Sequence, residues 1–333
     1  MSMSSTVSDT VPRADAAPLS ATQPFLWSVR RELWENRSLY IAPAAIGALM
    51  LFGFAVSLFS LAKHADEIKK ALTPDSAEAL AVLPYDIATA AVVVGSVIVG
   101  FFYCVNALYS ERRERSILFW KSLPVSNLTT VLSKMSMPVA VLPAVIFAVV
   151  VVMHLGMMAL NIIACLAVGL SVPDLLSRVP LLQMEVVFLY GAIVLALWLA
   201  PIYAYLIMVS AWAKKAPILW AVLPPLALMV FEKIASDTHY VSSLLGYRLG
   251  WPQQAFFEPR LLPLKPVEGH TAHIAVHGSV NGHHAQMSGI PVFEISQINV
   301  VGFLSTPDLW LGFAVAAAFL AVSVWLRRTR EAI

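Results

Sequence analysis

Five of the eight histidines of this 333-residue chain fall in one stretch, HTAHIAVHGSVNGHH, at His270, His273, His277, His283 and His284. Imidazoles gathered this closely are raw material for a zinc or copper site. The local geometry argues against one. Asn281–Gly282 is a two-residue turn between alternating segments, which predicts a hairpin near 273–290. Pairing outward sets Val280 opposite His283, Ser279 opposite His284 and His277 opposite Gln286. His277 and His284 then sit diagonally, roughly 6–8 Å apart, while His273 lies about 13 Å further along the strand. Two ligands without a third make a poor site, so the pair stands only as a weak metal candidate. Three further polar residues interrupt long apolar runs, Asn106, His154 and Asn161. The sequence contains no G-x-x-x-x-G-K-[ST] to cradle phosphates and no H-E-x-x-H for a metalloprotease.

The elements that must position these residues follow from composition. Hydrophobic residues make up 59 % and charged residues 13 %, with a mean hydropathy of +0.76. A water-soluble fold of this length could not hide that much apolar surface, so the chain is read as an integral membrane protein. A formal net charge of +2 excludes a chain built to coat nucleic acid. Cys104 and Cys165 both lie in apolar runs, where a disulfide framework has no place.

Uncharged stretches locate the spans at Ser38–Ala62, Ile87–Ser110, Val186–Ala213, Ala216–Phe231 and Leu309–Leu326, the longer ones ample for about 30 Å of hydrocarbon at about 1.5 Å per residue. Ala216–Phe231 is short and carries Pro217, Pro224 and Pro225, which predicts a kinked span. The long uncharged run Met135–Pro173 lacks a central turn and reads as one span from Met137 to Asn161, then an interfacial segment to Val172. That makes six spans with both termini on one side. The tails, the 111–136 loop and Lys214–Lys215 hold 14 of the 22 Lys and Arg residues, which places both termini in the cytoplasm. Asn106, His154 and Asn161 then lie within the membrane, where polar side chains either line a pathway or bond between helices. Gly95, Ser96 and Gly100 allow close helix approach on the second span.

Two cytoplasmic features flank the spans. Thr22–Arg37 is an amphipathic helix lying in the interface, with Leu26, Val29 and Leu33 on one side, Arg30, Arg31, Glu35 and Arg37 on the other, and Trp27 and Trp34 at headgroup depth. It serves either as an anchor for the first span or as an elbow that transmits motion. The 111–136 loop reads ERRERSILFWKSLPVSNLTTVLSKMS. Glu111, Arg112, Glu114 and Arg115 continue the second span into water, Phe119–Trp120 and Lys121 follow, Pro124 permits a break, and Ser126–Asn127 caps a new helix. A projecting helix–turn–helix makes a stiff lever and a docking surface; its bland alternative is a positive loop that only fixes topology.

The string Tyr109–Lys134, YSERRERSILFWKSLPVSNLTTVLSK, resembles the cytoplasmic loop of type-2 ABC transporter permeases, whose "ER…GS…SLPVS…V…K" pattern follows the second of six spans and whose elbow helix precedes the first. Arg115 stands where that pattern often has glycine. The resemblance implies an all-α polytopic fold with a 1–21 cytoplasmic tail, an elbow helix over 22–37 and spans one to five over 38–232. It also implies a small external α/β segment over 233–307 and a last span and tail over 308–333. It implies a non-catalytic exporter subunit of the inner membrane, with an amphiphilic, peptide-like or lipid-linked substrate. Glu111, Arg112, Glu114, Arg115, Phe119, Trp120 and Lys121 would couple to the ATPase, and Trp27, Arg30, Arg31 and Trp34 would form the elbow. Two separate ATPase subunits would bind ATP and Mg, this chain would hold no cofactor, and a second permease copy or a relative would complete the path. The competing readings are a membrane-embedded metal-handling or enzymatic protein using the external histidines, and a plain assembly subunit. An enzyme should gather titratable groups at one membrane depth, and the sequence spreads them among loops.

Overall fold

The computed structural model describes residues 23–63, 74–114, 126–169, 171–250, 260–262, 275–280, 283–288, 290–292, 295 and 298–329. The 1–21 tail, Arg115, Phe119, Trp120, Lys121, His270, His273 and the Asn281–Gly282 turn lie outside these residues. The chain is a multi-pass membrane protein of the all-α kind. Among the described residues, six helical stretches are long and apolar enough to cross a bilayer, Ser38–Leu58, Ala81–Arg113, Asn127–Ala167, Leu176–Trp198, Pro217–Ser236 and Pro307–Thr329.

The helices run longer than the uncharged stretches that announce them. Helix α1 spans Gln23–Glu35 and α2 spans Ser38–Lys63. The second span, expected from Ile87, is α3, Pro74–Asn106, followed after a two-residue break by the short α4, Tyr109–Arg113. The third starts as α5, Asn127–Ser136, capped by Ser126, whose Oγ accepts from the Thr129 amide at 3.0 Å. It passes through a π turn at Met137–Val141 and continues as α6, Leu142–Val168. The expected end at Asn161 is therefore corrected to Val168, where Gly169 at φ 71° closes the helix in the left-handed region. Pro138 and Pro143 explain the π turn, since neither offers an amide to the ladder.

After α7, Val172–Arg178, the fourth span comes in two pieces, α8, Leu181–Trp198, and α9, Ala200–Trp212. One helix over Val186–Ala213 was expected. Pro201 removes an amide and the chain breaks at Leu199. A turn through Ala216, held at φ 45°, leads into α10, Pro217–Ser236, and then α11, Tyr240–Leu249. Strands β1, Arg260–Leu262, and β4, Ile290–Val292, pair antiparallel, as do β2, Ala275–Val280, and β3, His283–Ser288. The second register sets His277 opposite Gln286 and Ser279 opposite His284. Helices α12, Val300–Ser305, and α13, Pro307–Thr329, end the chain.

The core lies where α3, α6 and α9 meet, around Tyr85, Val92, Cys104, Val150, Met157 and Ile207. Helix α9 packs along α13, and α2 along α3 and α6. Close approach is bought with glycine at two places. A Cβ on Gly95 would meet Ile46 Cδ1 at 2.3 Å, and one on Gly100 would meet Leu142 Cδ2 at 2.9 Å. Helix α10 leaves Leu219, Leu223, Leu226 and Phe231 exposed, and α2 leaves Ile41, Leu49 and Phe52 exposed, an apolar exterior suited to hydrocarbon.

Candidate functional site

The first cluster is electrostatic and sits where four elements converge. Glu32 is 1 % exposed, Lys134 2 %, Glu111 5 % and Arg327 5 %. Lys134 Nζ lies between two carboxylates, 2.7 Å from Glu32 Oε1 and 3.0 Å from Glu111 Oε1. Arg31 reaches both, at 3.1 Å and 3.0 Å, and also Glu35 at 3.1 Å. Arg327 pairs with Glu111 Oε2 and donates to Asn127 Oδ1 at 3.2 Å. The Tyr103 hydroxyl donates to Glu32 Oε2 at 3.0 Å. Arg31, Lys134 and Arg327 thus balance Glu32, Glu35 and Glu111. Buried charges persist only when paired and hydrogen-bonded, and these pairs fasten α1, α4, α5 and α13 into one block. Burial raises the Glu35 carboxyl above its ordinary range, against the lowering by Arg31.

Helix α4 is fixed from a second side. The Arg112 guanidinium donates to the carbonyls of Ser210 and Ala213, both at 2.7 Å, placing a cation on the buried carbonyls at the C-terminal end of α9. Ser210 Oγ accepts from the amides of Leu108 and Tyr109, both at 2.9 Å, satisfying the break between α3 and α4. Glu111 and Arg112 therefore face inward, unlike the solvated helix end expected of them, while Glu114 is exposed.

Val29, Glu32 and Leu33 of the amphipathic helix face the bundle. Leu26, which the sequence groups with Val29 and Leu33, is 60 % exposed and shares the outer face with Trp27 and Trp34, at 64 % and 66 %. The Arg30 guanidinium sits 5.1 Å from the Trp34 ring centroid. Glu32 turns inward to its ion pairs with Arg31 and Lys134.

A second polar cluster lies among the spans. His154, 2 % exposed, contacts Glu185 Oε1 through Nδ1 at 2.6 Å and Thr89 Oγ1 through Nε2 at 2.9 Å. Its ring meets that of Tyr85 edge-on at 5.3 Å, and Asn161 donates to the Tyr85 hydroxyl at 3.0 Å. His154 and Asn161, two of the expected pathway residues, therefore belong to one site. The third, Asn106, donates to Phe102 O of its own helix at an exposed position. Tyr85, Thr89 and Glu185 were not anticipated. Glu185 lies one residue before the uncharged stretch that marked the fourth span, so the criterion that found the span excluded it. The gathering of Asp86, His154 and Glu185 also overturns the expectation that titratable groups are confined to loops.

A third constellation joins α11 to the start of α13. Arg248 stacks on Trp198 at 4.3 Å and donates to Asp308 O, while the Tyr247 hydroxyl donates to Asp308 Oδ2 at 2.8 Å. Of the histidine hairpin, His277 and His284 are placed by strand register alone. Among the described residues, no group of three His, Cys, Asp or Glu is arranged to hold a metal ion. Comparison with protein-family models, with curated proteins and with solved structures finds no match to the chain.

Proposed function

We propose that the chain is the permease subunit of an ATP-driven ABC exporter in the cell's inner membrane, worked through its 111–134 loop by a separate ATPase. The observation that carries this reading is the buried ion network. Glu111 and Asn127, on the two described arms of that loop, are both bound by Arg327. Lys134 and Arg31 extend the same network to α1. Any force applied to the loop therefore reaches the amphipathic helix, the second and third spans and the last span together. A loop that merely fixed topology would need no such brace, since positive residues set orientation while fully solvated.

In this reading both termini are cytoplasmic, α1 is the elbow, and the 233–307 segment with its hairpin lies outside. Two ATPase subunits bind ATP and Mg, and their closure pulls the brace as a unit. The exposed apolar faces of α2 and α10 are covered by lipid or by a second permease copy or relative. The chain itself performs no covalent chemistry. An amphiphilic, peptide-like or lipid-linked substrate suits its largely apolar interior.

The test is functional reconstitution with the ATPase that co-purifies on a tagged chain. Trp120→Ala combined with Glu114→Ala should leave the complex assembled in the membrane but abolish the permease's stimulation of ATP hydrolysis. His277→Ala with His284→Ala should leave that stimulation and transport intact. Unchanged stimulation in the first variant, or a metal-dependent loss in the second, would overturn the reading.

A further inference from the structure

Below the His154 cluster runs an apolar crevice lined by Val93 and Val97 of α3, Leu142 and Ile146 of α6, and Phe188 and Leu195 of α8. The polar residues stand on the same helical faces as this lining, one or two turns away. Thr89 leads to Val93 and Val97, His154 through Val150 to Ile146, and Glu185 to Phe188 and Ala192. The cluster thus caps one end of the crevice.

Its charge is unfinished. Glu185 is 14 % exposed, and only one of its carboxylate oxygens has a partner, His154 Nδ1. The other, Oε2, is buried with no hydrogen bond. The Asp86 carboxyl is within electrostatic reach of His154. Among the described residues, no lysine or arginine pairs with Glu185 or Asp86. A buried carboxylate oxygen without a donor is costly, and a bound cation would satisfy it.

We propose that this cluster and crevice form a binding site for an amphiphilic organic cation, its charged head against Glu185 and its apolar part between α3 and α8. As a substrate site this rests on the transport reading; as a binding site it stands on the geometry alone. The crevice as it stands has room for about one water molecule. Occupancy therefore requires α8 to part from α6 and the π turn, on which it packs. The break at Leu199, ahead of Pro201, is where α8 would bend relative to α9, and the movement has to release Val187 and Val194 from Phe303 and Leu309.

The purified full chain in neutral-lipid nanodiscs, with no ATPase present, should bind radiolabelled tetraphenylphosphonium saturably at one site per chain, above the uptake of empty nanodiscs. Tetraphenylborate, of the same shape and opposite charge, should not compete. Glu185→Gln should weaken binding at least tenfold, and Glu185→Asp should retain most of it. Phe188→Ala, which leaves the His154–Glu185 contact untouched, should weaken it several-fold. Absence of saturable binding, equal competition by the anion, or wild-type affinity in either Glu185→Gln or Phe188→Ala would overturn the proposal. Because no ATPase takes part, failure to find a partner ATPase would leave this measurement standing, and the reverse holds too.

Discussion

Lys134→Met tests the brace most directly. The Lys134 ammonium lies 2.7 Å and 3.0 Å from two buried carboxylates. At an effective dielectric constant of about 20, each contact is worth roughly 5–6 kcal/mol of Coulomb attraction. Most of that is offset by stripping the ammonium of water, which costs several kcal/mol. Truncation leaves three carboxylates facing Arg31 and Arg327 alone. Glu111 keeps both of those arginines, whereas Glu32 keeps Arg31 and the Tyr103 hydroxyl. Because neither carboxylate is fully orphaned, the expected loss falls at the low end of that for a broken buried pair, about 3 kcal/mol. Thermal unfolding of the purified chain in nanodiscs should then shift down by about 4 °C. Glu32→Gln alone should cost a comparable amount. The double variant, with two cations facing two carboxylates, should lose little more than either single change, a coupling of about 1–3 kcal/mol. Strictly additive losses, or a Lys134→Met shift within 1 °C, would refute the claim that these charges act as one unit.

Gly95→Ala sets about 1 kcal/mol of helix propensity against contact with the flexible tip of Ile46, so its melting temperature should stay near wild type, whereas Gly95→Leu should destabilise by about 1–3 kcal/mol. Arg248→Ala removes the stacking on Trp198 and the bond to Asp308 O; a loss of about 1–2 kcal/mol and a changed Trp198 fluorescence, measured against Trp198→Phe, should accompany it. Burial raises the Glu35 pKa, so its ionisation opposes folding as pH rises above the ordinary carboxylate range. Glu35→Gln should therefore be as stable as wild type or slightly more so at pH 7, and the difference should vanish below about pH 4; a variant markedly less stable at pH 7 would show that the Arg31 contact dominates instead.

How far these features could be read in advance depends on what each signal measures. The six spans are legible because a bilayer demands long uncharged helices, and Gly95 and Gly100 are legible because only small residues allow close approach. The same rule that finds spans also misplaces their ends. It stops at the first charge, and so leaves Glu111, Lys134, Glu185 and Arg327 outside the spans, in water. In the folded chain those charges find partners on other helices, and a paired charge no longer needs water. Helices consequently extend past their uncharged stretches wherever a partner waits, as α3 and α4 do up to Glu111 and α5 does from Asn127. The inward turn of Glu32 on α1 has the same origin, since Glu32 has Lys134 and Tyr103 to meet while Leu26 has lipid. Apolar periodicity reports burial only where water is the sole alternative. At a membrane surface an exposed leucine incurs no such penalty, and the buried positions go to the side chains whose partners lie elsewhere in the sequence. Those pairings run from residue 32 to 134 and from 111 to 327, distances over which no local pattern carries information.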